Sequence, residues 1–192
     1  VKEGNGDASL VLFGEKITPN QHKLAKEFVL LDNFFVDGEV SADGHNWSMG
    51  AYATDYLEKN WVTSYGGRGG NYDAEGTREI ANNKGGFIWD DAKRAGVTYR
   101  TYGEFTDDYT PNIPVLKDHF CPYYTSWDQK VRDTTRVNQW KKDFDSLVAI
   151  NAFPHLNTLR LINNHTDGLV VGRPTPFTQC AHYDISLAMF IE

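Results

Sequence analysis

The spacing of apolar positions changes several times along the chain, and the changes predict alternating helices and strands. Thr18-Pro19 is a helix start, with Thr as cap and Pro at the first helical position, and Leu24, Ala25 and Phe28 then share a face. Phe28–Val36 is an apolar run of strand length and reads as a buried strand. A polar loop follows over Asp37–Asn46, then an aromatic-rich helix from about Asn46 to Asn60. Thr63–Gly76 is glycine-rich and reads as loop. Gly86–Ala95 reads as a short helix closed by a left-handed Gly96, and Val97–Tyr102 alternates as a strand. Thr106–Trp127, with Pro111, Pro114 and Pro122, is irregular. Asp133 caps a longer helix reaching about Ala149, with Val137, Trp140, Phe144, Leu147 and Val148 on its buried face. Leu156–Ile162 is a second core strand whose exit loop is Asn163–Gly168. A last helix begins at Pro174–Pro176, buries Phe177, Ala181, Ile185 and Ala188, and is still apolar at Glu192 without a stop signal.

Strands alternating with helices predict an α/β protein built as a layered sheet. At 192 residues one domain is the default expectation, and no internal repeat or low-complexity tract breaks it. The net charge of −7 argues against nucleic acid or an anionic membrane as the main partner, though a local pocket can oppose the global sign. No apolar run approaches the roughly 20 residues of a membrane span. Cys121 and Cys180 form neither a CxxC pair nor zinc-finger spacing, and read as two isolated half-buried thiols or as a disulfide.

Strand exits of α/β proteins are where ligands bind, so the polar loops carry the candidate chemistry. In the first loop Ser41 offers a hydroxyl beside a helix start, together with Asp43, His45 and Asn46. Such a hydroxyl needs a base or a metal to become a nucleophile, and no GxSxG elbow supplies an esterase-type triad. The alternative is a turn in which Ser and Asp satisfy backbone groups. In the second loop His165 is a metal-ligand type and Asn164 a weak oxygen ligand, a substrate contact or a turn residue. In the third, Arg68 among glycines either forks onto a phosphate or belongs to a plain surface loop. Asp90-Asp91 reads as solvated helix surface and Asp107-Asp108 as a weak cation contact.

The blocks GEKITPNQHKLAKEFVLLDNFFVDGEVSADGHNWSMGAYATDY, TSYGGRGG, KGGFIWDDAKRAGVTYRTYGEF and LRLINNHTDGLVVGRPTP resemble the bacterial phosphoesterase family. That family joins phospholipase C-type and acid phosphatase-type enzymes of the alkaline phosphatase-like superfamily. The resemblance implies a three-layer α/β/α sandwich, here incomplete, spanning residues 1–192 as a partial domain. It implies hydrolysis of a phosphate ester through a Ser-bound phosphoryl intermediate, with Ser41 as nucleophile and His45, Asn46 and Arg68 as substrate contacts. Ser41, Asn164 and His165 would be ligands of one or two divalent ions, with Zn, Ca, Mn or Fe equally open. Asn164 stands where the family has an acidic residue, and only Asp184 keeps its carboxylate in Ala181-His182-Tyr183-Asp184. Further ligand segments would lie before Val1, as a Glu-Asn pair, and after Glu192, as paired aspartates and an Asp-His.

The chain is therefore expected to be an internal piece with little activity alone. The partner would be a small phosphate ester, and the location periplasmic or secreted. A non-catalytic binding domain with the same pocket is the alternative. A third option is a partner-binding module using the aromatic loop Tyr109–Trp127.

Overall fold

A computed structural model describes residues 4–70 and 72–191. The expectations that touch Val1–Glu3, Asn71 and Glu192 lie outside the described residues. The elements in chain order are α1 (Pro19–Glu27), α2 (Ser41–Gly50), α3 (Asp55–Ser64), α4 (Ile88–Arg94), β1 (Tyr99–Tyr102), β2 (Thr106–Asp107), β3 (Thr110–Pro111), α5 (Asp133–Ala149), β4 (Leu156–Leu159) and α6 (Pro176–Ile191), with short 3-10 turns between. The chain is mixed α/β, 43% helical and 7% strand, so helix packing supplies most of the order. It divides into two compact units, one formed by residues up to 34, 127–149 and 160 onward, the other by 35–126 and 150–159.

In the second of these units β1 and β4 pair in parallel, Tyr99 opposite Leu156 through Tyr102 opposite Leu159. The segment His119–Cys121 flanks β1 on its other edge, where Thr101 donates to the His119 carbonyl and accepts from Cys121 N–H. The core packs Phe87, Trp89, Ala92, Tyr99, Phe105, Ile113 and Leu116. Trp89 and Phe105 are fully buried with ring centroids 5.2 Å apart. Removing such a ring costs about 3–5 kcal/mol.

Helix α4 presents Trp89 and Ala92 to that core and is sharply bounded. The Asp90 carboxylate accepts Phe87 N–H at 2.9 Å, so Asp90 is a helix-start contact rather than the solvated surface expected of it. At its end Val97 N–H reaches the Ala92 carbonyl and Gly96 N–H the Lys93 carbonyl, the two bonds of a Schellman stop. That stop needs the positive φ of 67° that Gly96 supplies.

In the other unit α6 packs against both α1 and α5. Buried Asp184 on α6 accepts the backbone amides of Asn20 (3.0 Å) and Gln21 (2.8 Å). It thereby caps α1, whose own cap residue Thr18 makes no such bond. Trp140 of α5 lies 4.5 Å from Phe190 of α6, centroid to centroid.

Several expectations are corrected. Phe28–Val36 is not a buried strand: no strand pairs with it among the described residues, and Val36, Val29 and Phe34 are 90%, 79% and 78% exposed. Strand pairing is non-local and satisfies a backbone only where a partner edge lies alongside. The helix expected over Asn46–Asn60 is two. α2 starts at Ser41 and closes at Ala51 with φ 63°, and Thr54 then caps α3 by accepting Leu57 N–H. The second strand ends at Leu159 rather than Ile162. On α5 Val148 faces solvent. On α6 Phe177 and Ile185 are exposed while Gln179, Cys180, Asp184 and Ser186 are buried. The capping duty of Asp184 and the pairing of Gln179 with Asp167 turn the polar side of that helix inward.

Candidate functional site

Helix α2 begins without a side-chain cap, because Val40 at the cap position has no acceptor to offer. The Val40 carbonyl takes the amides of Asp43 (3.0 Å) and Gly44 (3.3 Å). The amides of Ser41 and Ala42 are the two first-turn donors left pointing out of the helix. A hydroxyl and two free amides at the positive end of a ten-residue helix suit an anionic group. Ser41 is exposed there.

Spacing on the helix then separates two faces. Ser41, His45 and Ser48 fall on one stripe, four and three residues apart, so His45 stands one turn above the Ser41 hydroxyl. The His45 ring is one quarter exposed and Nδ1 lies 2.6 Å from Oε1 of Glu104, with Nε2 3.9 Å from Oε1 of Glu75. Glu104 sits just past the end of β1 and is buried, its carbonyl held by the Thr101 hydroxyl at 2.8 Å. A carboxylate at Nδ1 orients an imidazole and stabilises its protonated form.

Asp43 and Asn46 form the opposite, inner face. Both are buried, Asp43 completely. Asn46 donates to the Ala81 carbonyl at 3.5 Å, so the expected phosphate contact is turned toward the interior. Burial pushes the Asp43 carboxyl up to about 6, and the charge of Glu58 adds to the rise.

The second candidate loop lies in the other unit. Its 3-10 turn Asn163–His165 is pinned from below. Asp133 at the start of α5 accepts Ile162 N–H (3.0 Å) and Asn163 N–H (2.8 Å) and donates its own amide to Asn163 Oδ1 (2.8 Å). Arg136, fully buried, pairs with Asp133 at 3.1 Å. The turn therefore presents Asn164 and His165 outward on a rigid base. His165 Nδ1 faces the Thr166 carbonyl at 3.1 Å, which places the ring proton on Nδ1 and leaves the Nε2 lone pair for a ligand. The ring meets Trp127 edge-on at 4.9 Å. Asn164 borders an open cleft of about 620 Å³ shared with Phe13, Thr18, His22, Cys180 and Tyr183.

Compared with family models, curated proteins and solved structures, the chain matches none.

The expected site residues thus fall into two groups, Ser41, His45, Asn46 and Arg68 in one unit and Asn164 and His165 in the other. Arg68 is exposed and donates to the Val62 carbonyl at 2.6 Å, an acceptor in the last turn of α3. Asp107 accepts the Asn112 amide at 2.8 Å, and Asp108 takes a positive φ of 43° in the tight β2–β3 connection. Cys121 and Cys180 are both buried and unbridged, and burial raises the Cys180 thiol. Among the described residues no three His, Cys, Asp or Glu are grouped to hold a metal ion, and no helix is long and apolar enough to cross a membrane.

Sequence reasoning did not single out Glu75 or Glu104. Glu104 stood within reach of the rule that places ligands at the carboxyl ends of strands, because it follows Tyr102-Gly103 directly. Glu75 lies in a glycine-rich segment whose course nothing local specifies.

Proposed function

We propose that this site serves hydrolysis of a phosphate ester, with Ser41 attacking phosphorus and becoming transiently phosphorylated. The observation that carries the reading is the uncapped start of α2, where exposed Ser41 and two outward amides lie one turn from a His45 held by Glu104. The amides of Ser41 and Ala42 would bind the equatorial oxygens, whose charge grows in the transition state. His45 would take the Ser41 proton and return it to the leaving group, with Glu104 orienting the ring. Water attack on the phosphoserine would then release phosphate. Arg68 stays in this reading as a contact to the far side of the substrate.

Of the residues assigned to a divalent ion, His165 has the geometry of a ligand, with Nδ1 engaged and Nε2 outward. A bound divalent ion would supply charge neutralisation to an anionic ligand. The reading of the fold as an α/β/α sandwich of the alkaline phosphatase-like kind rests on the resemblance of the sequence blocks, beside a single parallel strand pair, β1–β4. The resemblance of the blocks around Ser41 supports a periplasmic or secreted location.

The test is hydrolysis of an aryl phosphate, with and without added divalent cations, by the full-length protein and by Ser41→Ala. A loss of at least about 10³-fold is expected for Ser41→Ala and about 10²-fold for His45→Asn. A Ser41→Ala protein as active as the unaltered one overturns the reading.

One observation favours a second reading, a non-catalytic phosphate-ester-binding domain. Asp184, the acidic residue retained after the last proline-rich turn, is fully engaged in capping α1. Tight binding of the ester without turnover by the full-length protein would establish it.

A further inference from the structure

On the inner face of α2, Asp43 is 0% exposed and both its carboxylate oxygens lack a hydrogen-bond partner among the described residues. Three residues on, Asn46 is 1% exposed and its Oδ1 is equally without a partner. Its amide nitrogen faces the Ala81 carbonyl at 3.5 Å, a long contact, and Oδ1 lies on the other side of the group. Residues three apart are neighbours on a helix surface and side chains lean toward its N-terminus, so Asp43 and Asn46 are adjacent on this face. Three oxygen acceptors with no donor therefore share one buried face. An isolated buried carboxylate costs several kcal/mol, and native proteins leave very few buried acceptors unmet.

Nearby groups add negative charge and oxygen. Glu58 of α3 acts on Asp43 electrostatically. The loop over the helix start carries Asp37 and exposed Glu39, and Asp37 lies against Gly44. Gly38 rests directly on Asp43: a Cβ built there would stand 2.8 Å from the Asp43 Cβ. Trp47 Nε1 is a buried donor without a partner, and a water bridging to it would satisfy geometry without offsetting charge.

The geometry points to a binding site for a hard divalent cation of the magnesium–calcium class, held by both Asp43 oxygens and Asn46 Oδ1 beneath the Asp37–Val40 loop. Oxygen-only donors of this kind suit such ions, with water completing the shell. A single full carboxylate sets an affinity on the order of 10⁻⁴ M. The ion would tie the loop preceding Ser41 to the body of α2. This site is independent of the phosphoester reading, since it uses neither Ser41 nor His165.

The test is calorimetric titration of the full-length protein, stripped with chelator, with Ca²⁺ and with Mg²⁺, alongside thermal unfolding. Expected are a binding event kept in Ser41→Ala and His165→Ala and weakened at least about tenfold in Asp43→Asn. Asn46→Asp, which adds a charge to the cluster, should bind more tightly and depend on the cation for its stability. Binding in Asp43→Asn equal to that of the unaltered protein overturns the proposal. So does the absence of any binding event or cation-dependent rise in unfolding temperature that survives Ser41→Ala and His165→Ala. An Asn46→Asp protein indifferent to the cation overturns it as well.

Discussion

Two buried aspartates occupy the first turns of two helices, and their surroundings are opposite. Asp133 opens α5 and Asp43 is the third residue of α2, and both are 0% exposed. Asp133 accepts two backbone amides and pairs with Arg136. The Asp43 carboxylate accepts nothing among the described residues. Burying a carboxylate costs several kcal/mol, and only close partners return that energy. At Asp133 the cost is returned within the fold, and the product is a rigid turn beneath Asn164 and His165. At Asp43 it is not, so the start of α2 holds free energy that a bound species can release. A satisfied buried charge marks architecture, and the unsatisfied one at Asp43 is the ground on which we propose a cation site.

The sharpest way to break this contrast is Asp133→Ala. It leaves the Arg136 guanidinium buried without its carboxylate and two amides without acceptors. A loss of about 3–5 kcal/mol in urea unfolding is expected. Replacing Asp133 and Arg136 together by Leu and Met should cost clearly less, because no charge is then stranded. A loss below about 1 kcal/mol for Asp133→Ala would show that the network is not structural.

Asp43 should behave in the opposite sense. Its folded-state value of about 6 stands above the ordinary 3.8, so the folded chain holds a proton that the unfolded chain has released across that window. Stability contributed by this group is therefore greatest below about pH 4 and falls as pH rises through about 6. Asp43→Asn should remove that fall and be the more stable protein at pH 7 when divalent cation is absent. The comparison to make is the difference in unfolding midpoint between the two proteins at a series of pH values. Calcium should shrink the difference, since a bound cation favours the ionised carboxylate. A difference that does not vary with pH would place Asp43 among the satisfied groups and erase the contrast.

What the sequence discloses follows the range of the interactions involved. Helix α5 has the bounds its apolar spacing predicts, Asp133 to Ala149, and α4 stops where Gly96 allows a left-handed turn. Both depend on residues within a few positions. β1 lies within the predicted run, because β-branched and aromatic alternation is a local signal too, and β4 lies within the apolar run Leu156–Ile162. Phe28–Val36 has the composition of a strand, but strandhood depends on a partner edge that composition does not encode. In the candidate site Ser41 is legible as the hydroxyl of a polar loop. The Glu104 contact to His45 spans 59 residues of sequence and is not. The outward turn of Ser41 and inward turn of Asp43 follow once α2 is seen to begin at Ser41, five residues before the expected start.

Glu104→Gln probes the partly exposed counterpart of these buried pairs. It keeps the shape of the side chain and a weaker bond to His45 Nδ1 while removing the charge. A loss of about 1.5–3 kcal/mol is the range for hydrogen bonds involving a charged group, and the lower end is expected because the imidazole is one quarter exposed. In the full-length protein the same change should lower kcat for an aryl phosphate more than it alters KM, because orientation of the ring matters most in the transition state. Unchanged kinetics with lost stability would assign Glu104 to the fold alone and set His45 beside Asp133 rather than beside Ser41.

The smallest effect should come from Arg68→Ala. This guanidinium is exposed, and its bond to the Val62 carbonyl lies in the last turn of α3, where a cation also favours the negative end of the helix. Water can replace both contributions, so no more than about 0.5 kcal/mol of stability should be lost, and less at high salt. Its worth to an anion is a separate matter. If Arg68 contacts substrate, Arg68→Ala should raise KM for a phosphate ester several-fold while unfolding stays almost unchanged, a pattern that the buried charges cannot produce. Should Arg68→Ala instead destabilise the protein as much as Asp133→Ala, exposure would have ceased to predict cost. The contrast between Asp133 and Asp43 would then rest on something other than how each charge is solvated.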